Sequence, residues 1–441
     1  MKFKKQLGLL VICGLFFFLF TSFDLLTFLG LPSSFQMIEG RQESLEPNLL
    51  FWAEVDTNQE ELKINGERLT EQGFKVNLSD QLSLRAAAIG EYELDFRLFG
   101  LIPIRRMSVD VIPRAKVMPG GHSIGVALQS EGIMVIQSSY VENEKGEKVY
   151  PAKDAGIKAG DIILRVNGEE ITDKQKLAKK IDHYGRNDGV IELLLRRQNG
   201  EKITREIRTI KSNKGYHMIG LYVDDGASGV GTISFYDQKT GHYGALGHMI
   251  TETNTQLGIN VGQGNIYEAN ISGIRRSEKG TPGEKLGSFF RDHNLLGDIK
   301  KNNDFGVFGE LSMKPNNPYF KEEIPVATPM EVEEGKAKAY TVISGSKIKE
   351  FEVEIEKVNQ QYTPQKKGLV IRVNDPNVLK KTGGIVQGMS GSPIVQNGKL
   401  VGAITHVFVN DSTVGYGTFA QWMILQTDIL NELDNTREPA A

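Results

Sequence analysis

The feature that most constrains this chain is a repeated pattern of short, turn-bounded runs with period-two apolar alternation. Phe351-Glu352-Val353-Glu354-Ile355-Glu356 alternates strictly. Such a run buries one face of a strand and wets the other. Tyr92-Glu93-Leu94-Asp95-Phe96-Arg97-Leu98 and Met107-Ser108-Val109-Asp110-Val111 repeat the pattern. Gly368–Val373 and Lys399–Ile404 read as short buried strands, and Gly229–Tyr236 as another. The 48 glycines against 15 prolines supply the turns that many short strands need. A mainly β protein is expected, with a barrel or sandwich over the C-terminal half.

At 441 residues the chain has room for several domains. Its net charge of −3 gives no basic footprint, so no nucleic-acid partner is expected. The one cysteine, Cys13, lies in the apolar N-terminal stretch. That excludes an intrachain disulfide, and a cysteine nucleophile beyond that stretch. The seven histidines are scattered, with no His-Glu-x-x-His, so neither a metal nor another cofactor is expected. Lys2, Lys4 and Lys5 precede an apolar run from Leu7 to Phe23, extended by Leu25 to Leu31. A signal peptide and a transmembrane anchor both look like this. No small-x-small cleavage site follows the apolar core. Residues 1–32 are therefore read as an uncleaved anchor, with the rest outside the cytoplasm.

Residues 45–113 read as a small β module with an Asn65-Gly66 hairpin turn. Residues 118–211 carry Ala155-Gly156-Ile157-Lys158-Ala159-Gly160-Asp161-Ile162-Ile163-Leu164-Arg165-Val166-Asn167-Gly168. That run resembles a PDZ domain, with the flanking helix expected over Asp173–His183. The resemblance implies that an extended peptide adds to a sheet edge. It places the carboxylate-receiving loop at Ser123, Ile124, Gly125 and Val126.

Residues 218–435 hold the chemistry. Gly388-Met389-Ser390-Gly391-Ser392-Pro393 resembles the nucleophile loop of chymotrypsin-like serine peptidases. Glycines there let a serine stand on a sharp turn and let a substrate backbone approach. The resemblance implies a double β-barrel with Ser390 as nucleophile. The N–H groups of Gly388 and Ser390 would form the oxyanion hole. His248, in Gly244-Ala245-Leu246-Gly247-His248, is the best base, and His406 could meet substrate. Two residues compete to be the acid. Asp304, in Asn302-Asn303-Asp304-Phe305, gives the chain order His, Asp, Ser. Asp375 precedes Pro376 and so also suits a helix N-cap. Changing the true acid to asparagine should cost about 10⁴-fold in rate.

The order of anchor, PDZ and peptidase loop, with the run Lys380–Pro393, resembles the stage IV sporulation protein B family of signalling serine peptidases. Peptidases of the high-temperature-requirement type place PDZ after the catalytic domain instead. The resemblance covers most of the chain and is weakest over 45–113. It implies secretion from the forespore into the space between the spore membranes. There the protein would cleave itself, then a membrane-bound regulator of the sigma-K processing complex. The PDZ domain would control both events. The family's histidine and serine fall on His248 and Ser390. Its closeness around the serine loop raises Asp375 as the acid, so both aspartates stay open. A PDZ adaptor without activity and a broad quality-control peptidase are the alternatives.

Overall fold

Strand pairing organises the chain in the computed structural model, which describes residues 25–57, 61–68, 73–290 and 294–435. Among the described residues no helix is long and apolar enough to cross a membrane. The run Leu7–Phe23, on which the expected anchor rests, lies outside them.

The N-terminal module is two facing sheets. One contains Ser34–Ile38, Trp52–Asp56, Phe74–Asn77, Gly90–Leu98 and Ile102–Ile112. The other is built on Gln42–Leu45, Leu62–Ile64, Glu67–Arg68 and Leu82–Ala86. Its core includes Leu26, Leu31, Val55, Leu84 and Phe96, so it draws on residues before 45. Asn65 and Gly66 both take positive φ, 52° and 84°, between paired Ile64 and Glu67. That is the left-handed pair a two-residue hairpin turn requires.

Next comes a 16-residue strand, Ser123–Ser138 (β1), followed by helix Lys174–Asn187 (α1) and a second 16-residue strand, Leu221–Tyr236 (β2). β1 and β2 pair antiparallel along most of their length. The two ends of β1 belong to different bodies. Ile124–Ser130 pairs with Val261–Glu268, while Ile133–Met134 pairs with Ile162–Ile163. The PDZ-like α/β body therefore grows out of a hairpin whose other end is a catalytic sheet. Its core holds Ile133, Val135, Ile163, Val166, Leu177, Ile181 and Leu193.

The catalytic sheet adds His242–Ala245 (β3), Val261–Glu268 (β4) and Gly306–Glu310 (β6), with Glu284–Ser288 (β5) on a nearby hairpin. The C-terminal half is a closed six-stranded barrel. In chain order its strands are Gly335–Val342 (β7), Ile348–Val358 (β8), Leu369–Val373 (β9), Pro393–Gln396 (β10), Lys399–Val407 (β11) and Val414–Phe419 (β12). Helix Pro376–Thr382 (α2) lies between β9 and β10. In β8 the residues Phe351, Val353 and Ile355 are buried while Glu352, Glu354 and Glu356 are exposed, as their alternation predicts. The expected double barrel is thus corrected to one closed barrel and one half. The first half continues into the PDZ sheet through β1 instead of closing on itself.

Candidate active site

The nucleophile loop joins α2 to β10 and is pinned by main-chain bonds. Ser390 O accepts from Thr232 N at 3.0 Å, Gly391 N donates to Ile404 O at 2.7 Å, and Ser392 N donates to Met389 O at 2.9 Å. Gly391 sits at φ +90°, and a Cβ there would lie 2.0 Å from Thr232 O. Only glycine lets the loop press this closely on β2. Among the described residues, the N–H groups of Gly388 and Ser390 have no partner. Both residues line the cavity described below. Two unspent amide donors beside a serine hydroxyl suit a developing oxyanion.

Ser390 Oγ donates to the Thr405 carbonyl at 2.7 Å. Nucleophile and base are therefore not hydrogen-bonded to each other: Ser390 bonds Thr405 O and His248 bonds Met249 O. A rotation about the Cα–Cβ bond must carry the hydroxyl away from Thr405 before a base can take its proton.

His248 follows β3 through two consecutive left-handed residues, Leu246 at φ 67° and Gly247 at φ 69°. This turn aims the imidazole into the cleft. Its Nδ1 lies 2.9 Å from the Met249 carbonyl. A carbonyl only accepts, so the proton is on Nδ1 and Nε2 carries the lone pair a general base needs. Burial lowers its pKa below the ordinary histidine range, and the bond to Met249 O offsets part of that. The ring centroid of His406 is 4.7 Å away. Desolvation first, then neighbouring His248 and Lys367, hold His406 well below the usual histidine pKa, so it too is neutral at pH 7.

Neither candidate acid is hydrogen-bonded to His248, whose Nδ1 is taken by the Met249 carbonyl. Asp304 is half-exposed and pairs with Lys366 at 2.9 Å. Asp375 caps α2, accepting from Asn377 N at 2.8 Å and Val378 N at 3.1 Å. The side chain that steadies the histidine loop is Asn302. Its Oδ1 accepts from Ile250 N at 2.8 Å, and its Nδ2 donates to Ile250 O and Ile259 O at 2.9 and 2.8 Å. The signal was the polar triplet Asn302-Asn303-Asp304, from which only the carboxylate looked chemical. His242 is structural, 3.2 Å from Glu432 and 3.8 Å from Glu310.

Ser390, His248, Gly388, Thr405 and His406 line one cleft of about 570 Å³ between the two catalytic halves. Its other wall includes Ser228, Gly229 and Val230 of β2. Among the described residues, no group of three His, Cys, Asp or Glu side chains could hold a metal.

Ser123–Val126 is not a loop. It lies inside β1, buried, with β2 on one side and β4 on the other. Its main-chain groups are taken by the sheet, so it cannot receive a peptide carboxylate. The groove of the PDZ body is elsewhere. A mostly apolar cleft of about 420 Å³ runs between α1, with Leu177, Ala178 and Ile181, and residues 217–223. Among the described residues, the edge of Leu221–Val223 away from β1 is unpaired. Gly220, at φ +74°, turns the chain into that edge. The α1 N-cap is Asp173, bound by Gln175 N and Lys176 N. Lys174 Nζ bonds Asp224 at 2.9 Å near one end of the groove.

Residues 215–424 match the family model described as SpoIVB peptidase S55, and residues 145–197 match a PDZ domain model. Over 112 residues the chain is 32% identical to a probable periplasmic serine endoprotease, DegP-like, of Brucella suis, covering 24% of this chain and 22% of that protein. The counterpart in Bartonella henselae is 41% identical over 63 residues, covering 13% of this chain and 12% of that protein. The chain thus spans about a fifth or less of the length of these curated relatives. Among solved structures, the Rv3671c protease in its inactive form matches with 13% identity and a TM-score of 0.25. The match covers 45% of this chain and 82% of that one. Human heparin binding protein matches with 16% identity and a TM-score of 0.22, covering 45% and 78%.

Proposed function

From the match of residues 215–424 to the SpoIVB peptidase S55 family model, we propose that this chain is a serine endopeptidase acting through Ser390 and His248. The observation that carries this reading is the cleft itself. A serine hydroxyl, a neutral imidazole with its lone pair on Nε2, and two unspent amide donors line one space. Ser390 attacks the scissile carbonyl while His248 takes its proton. The tetrahedral oxyanion settles on the N–H groups of Gly388 and Ser390. His248 then gives its proton to the leaving amine, and water repeats the cycle on the acyl-enzyme. The Met249 carbonyl holds the imidazole tautomer, the role an aspartate would otherwise fill.

The PDZ body presents an unpaired edge at Leu221–Val223 beside α1, and protein segments bind there by strand addition. β2 runs from that groove to the cleft, so one strand links recognition to cleavage. The family name supports a sporulation role, and the resemblance to that family gives the proposed events: self-cleavage, then cleavage of a membrane-bound regulator of sigma-factor processing. DegP-like relatives described as periplasmic support an extracytoplasmic catalytic part, tethered by residues 1–32.

The test is incubation of purified wild type and Ser390→Ala, with mass mapping of fragments. Defined fragments from wild type alone are expected. Equal fragmentation of both proteins would remove Ser390 from the mechanism, and wild type with no cleavage of any protein would favour a PDZ adaptor.

A further inference from the structure

β5 passes beneath the nucleophile loop and turns a lysine inward. Lys285 is 4% exposed and, among the described residues, has no ion-pair partner. Its Nζ lies 2.7 Å from Thr341 Oγ1, 3.2 Å from Ser123 Oγ and 3.3 Å from Thr232 Oγ1. These hydroxyls come from β7, β1 and β2, so the amine sits where the two catalytic halves meet. Burying an ammonium without a counter-charge is costly. Desolvation alone acts on it, and brings its pKa down to about 7.

The chemistry of the amine gives it a direction. An ammonium has three protons and no lone pair. A hydroxyl that accepts from it must send its own proton elsewhere. Thr232 sends its proton to the Gly388 carbonyl, at 2.7 Å. The main-chain N–H of Lys285 donates to Gln387 O at 2.9 Å. In a trans peptide the C=O and N–H point opposite ways. With Gln387 O turned toward β5, the Gly388 N–H is turned away from it. One residue therefore holds both peptide planes flanking Gly388. Its stem also fills the space beside that glycine, where a Cβ would lie 3.0 Å from Lys285 Cδ.

We propose that Lys285 is a positioning residue: its main-chain N–H on Gln387 O fixes the peptide that carries the Gly388 N–H, and its ammonium, through Thr232, fixes the next peptide at Gly388 O, so that together they set the oxyanion hole. This rests on the serine-peptidase reading of the cleft. Deprotonation gives the amine a lone pair that can accept from Thr232, and the bond to Gly388 O is then no longer enforced. The groups facing the amine are the hydroxyls of Ser123, Thr232 and Thr341, none of which titrates near neutrality.

The experiment measures inactivation of the full chain by a fluorophosphonate probe, with kinact and KI separated, across pH 5.5 to 9. Lys285→Met should lower kinact about 100-fold, with KI changed less than about twofold, as expected for a lost oxyanion donor. It should also lack the wild type's decline above about pH 7. Thr232→Val should fall likewise, the double variant no further, and Thr232→Ser should retain activity. A folded Lys285→Met with wild-type kinact, or a loss confined to KI, overturns the proposal. A second readout needs no activity: the Gly388 amide NMR signal in Ser390→Ala, followed from pH 6 to 9. It should shift with Lys285 ionisation and stay fixed in Lys285→Met/Ser390→Ala. An amide that ignores pH overturns the proposal, whether or not Ser390 proves to be the nucleophile or Lys285→Met folds alone.

Discussion

Ser390 and His248 face the same cleft but are held in different ways. The serine loop is tied to β2, β5 and β11 by main-chain bonds, and a glycine at φ +90° lets it pack flush against β2. The histidine is oriented by the carbonyl of the next residue and steadied at one remove by Asn302. The difference follows from what each must present. An oxyanion hole is made of backbone amides, so the backbone must be fixed closely. A general base needs only a lone pair on the correct nitrogen, and a carbonyl can enforce that tautomer. What the carbonyl lacks is the full negative charge that stabilises an imidazolium.

The largest effects test whether the two sides work as one unit. His248→Ala should cost about as much as Ser390→Ala, on the order of 10⁶-fold in kcat, and the double variant little more. Additive losses would mean separate roles. The pH profile sharpens the same point. Burial lowers the His248 pKa below 6.5, so the acid limb of kcat/KM should fall below pH 6.5. A limb above that value would show an anion near the imidazole in the working state.

Next in size is Asn302→Leu, which deletes three hydrogen bonds to the histidine loop. A misplacement of about 1 Å can cost about 100-fold. The loss should appear in kcat, with KM little changed and the serine side intact, as judged by an unchanged Gly388 amide signal. A variant with unaltered kcat would mean that Leu246 and Gly247 aim the histidine unaided.

Local patterning was legible here; partnership was not. The alternation of Phe351–Glu356 and the Asn65-Gly66 turn depend on neighbours in sequence, and both form as read. The resemblance to a PDZ domain placed a carboxylate-receiving loop at Ser123–Val126. Those residues instead pair with residues 229–232 on one side and 266–268 on the other. Periodicity marks a strand but does not say which sheet receives it, and β1 serves two. The PDZ-before-peptidase order has the same origin, since the PDZ body is inserted between strands of the first catalytic half. In the cleft, Ser390 and His248 stood out because glycine and chemistry mark them, and the fold brings both to one space. Lys285 was not, because a lysine in a strand reads as solvent-facing until three distant hydroxyls surround it.

The smallest expected effects bear most directly on how the histidine is held. Asp304→Asn removes only a half-exposed ion pair with Lys366, worth about 0–1 kcal/mol. Asp375→Asn keeps a side-chain oxygen at the N-cap of α2, and asparagine caps about as well as aspartate. Both should retain activity within about threefold. Asp375→Ala should instead lose about 1 kcal/mol of stability through the lost cap, with kcat unchanged. The two readouts separate the roles: a capping residue moves the thermal midpoint, and a triad acid moves the rate. A loss approaching 10⁴-fold in either asparagine variant, with the midpoint unmoved, would show that the histidine loop rearranges to meet a carboxylate during turnover. The Met249 carbonyl would then be a resting partner, as the Thr405 carbonyl is for Ser390.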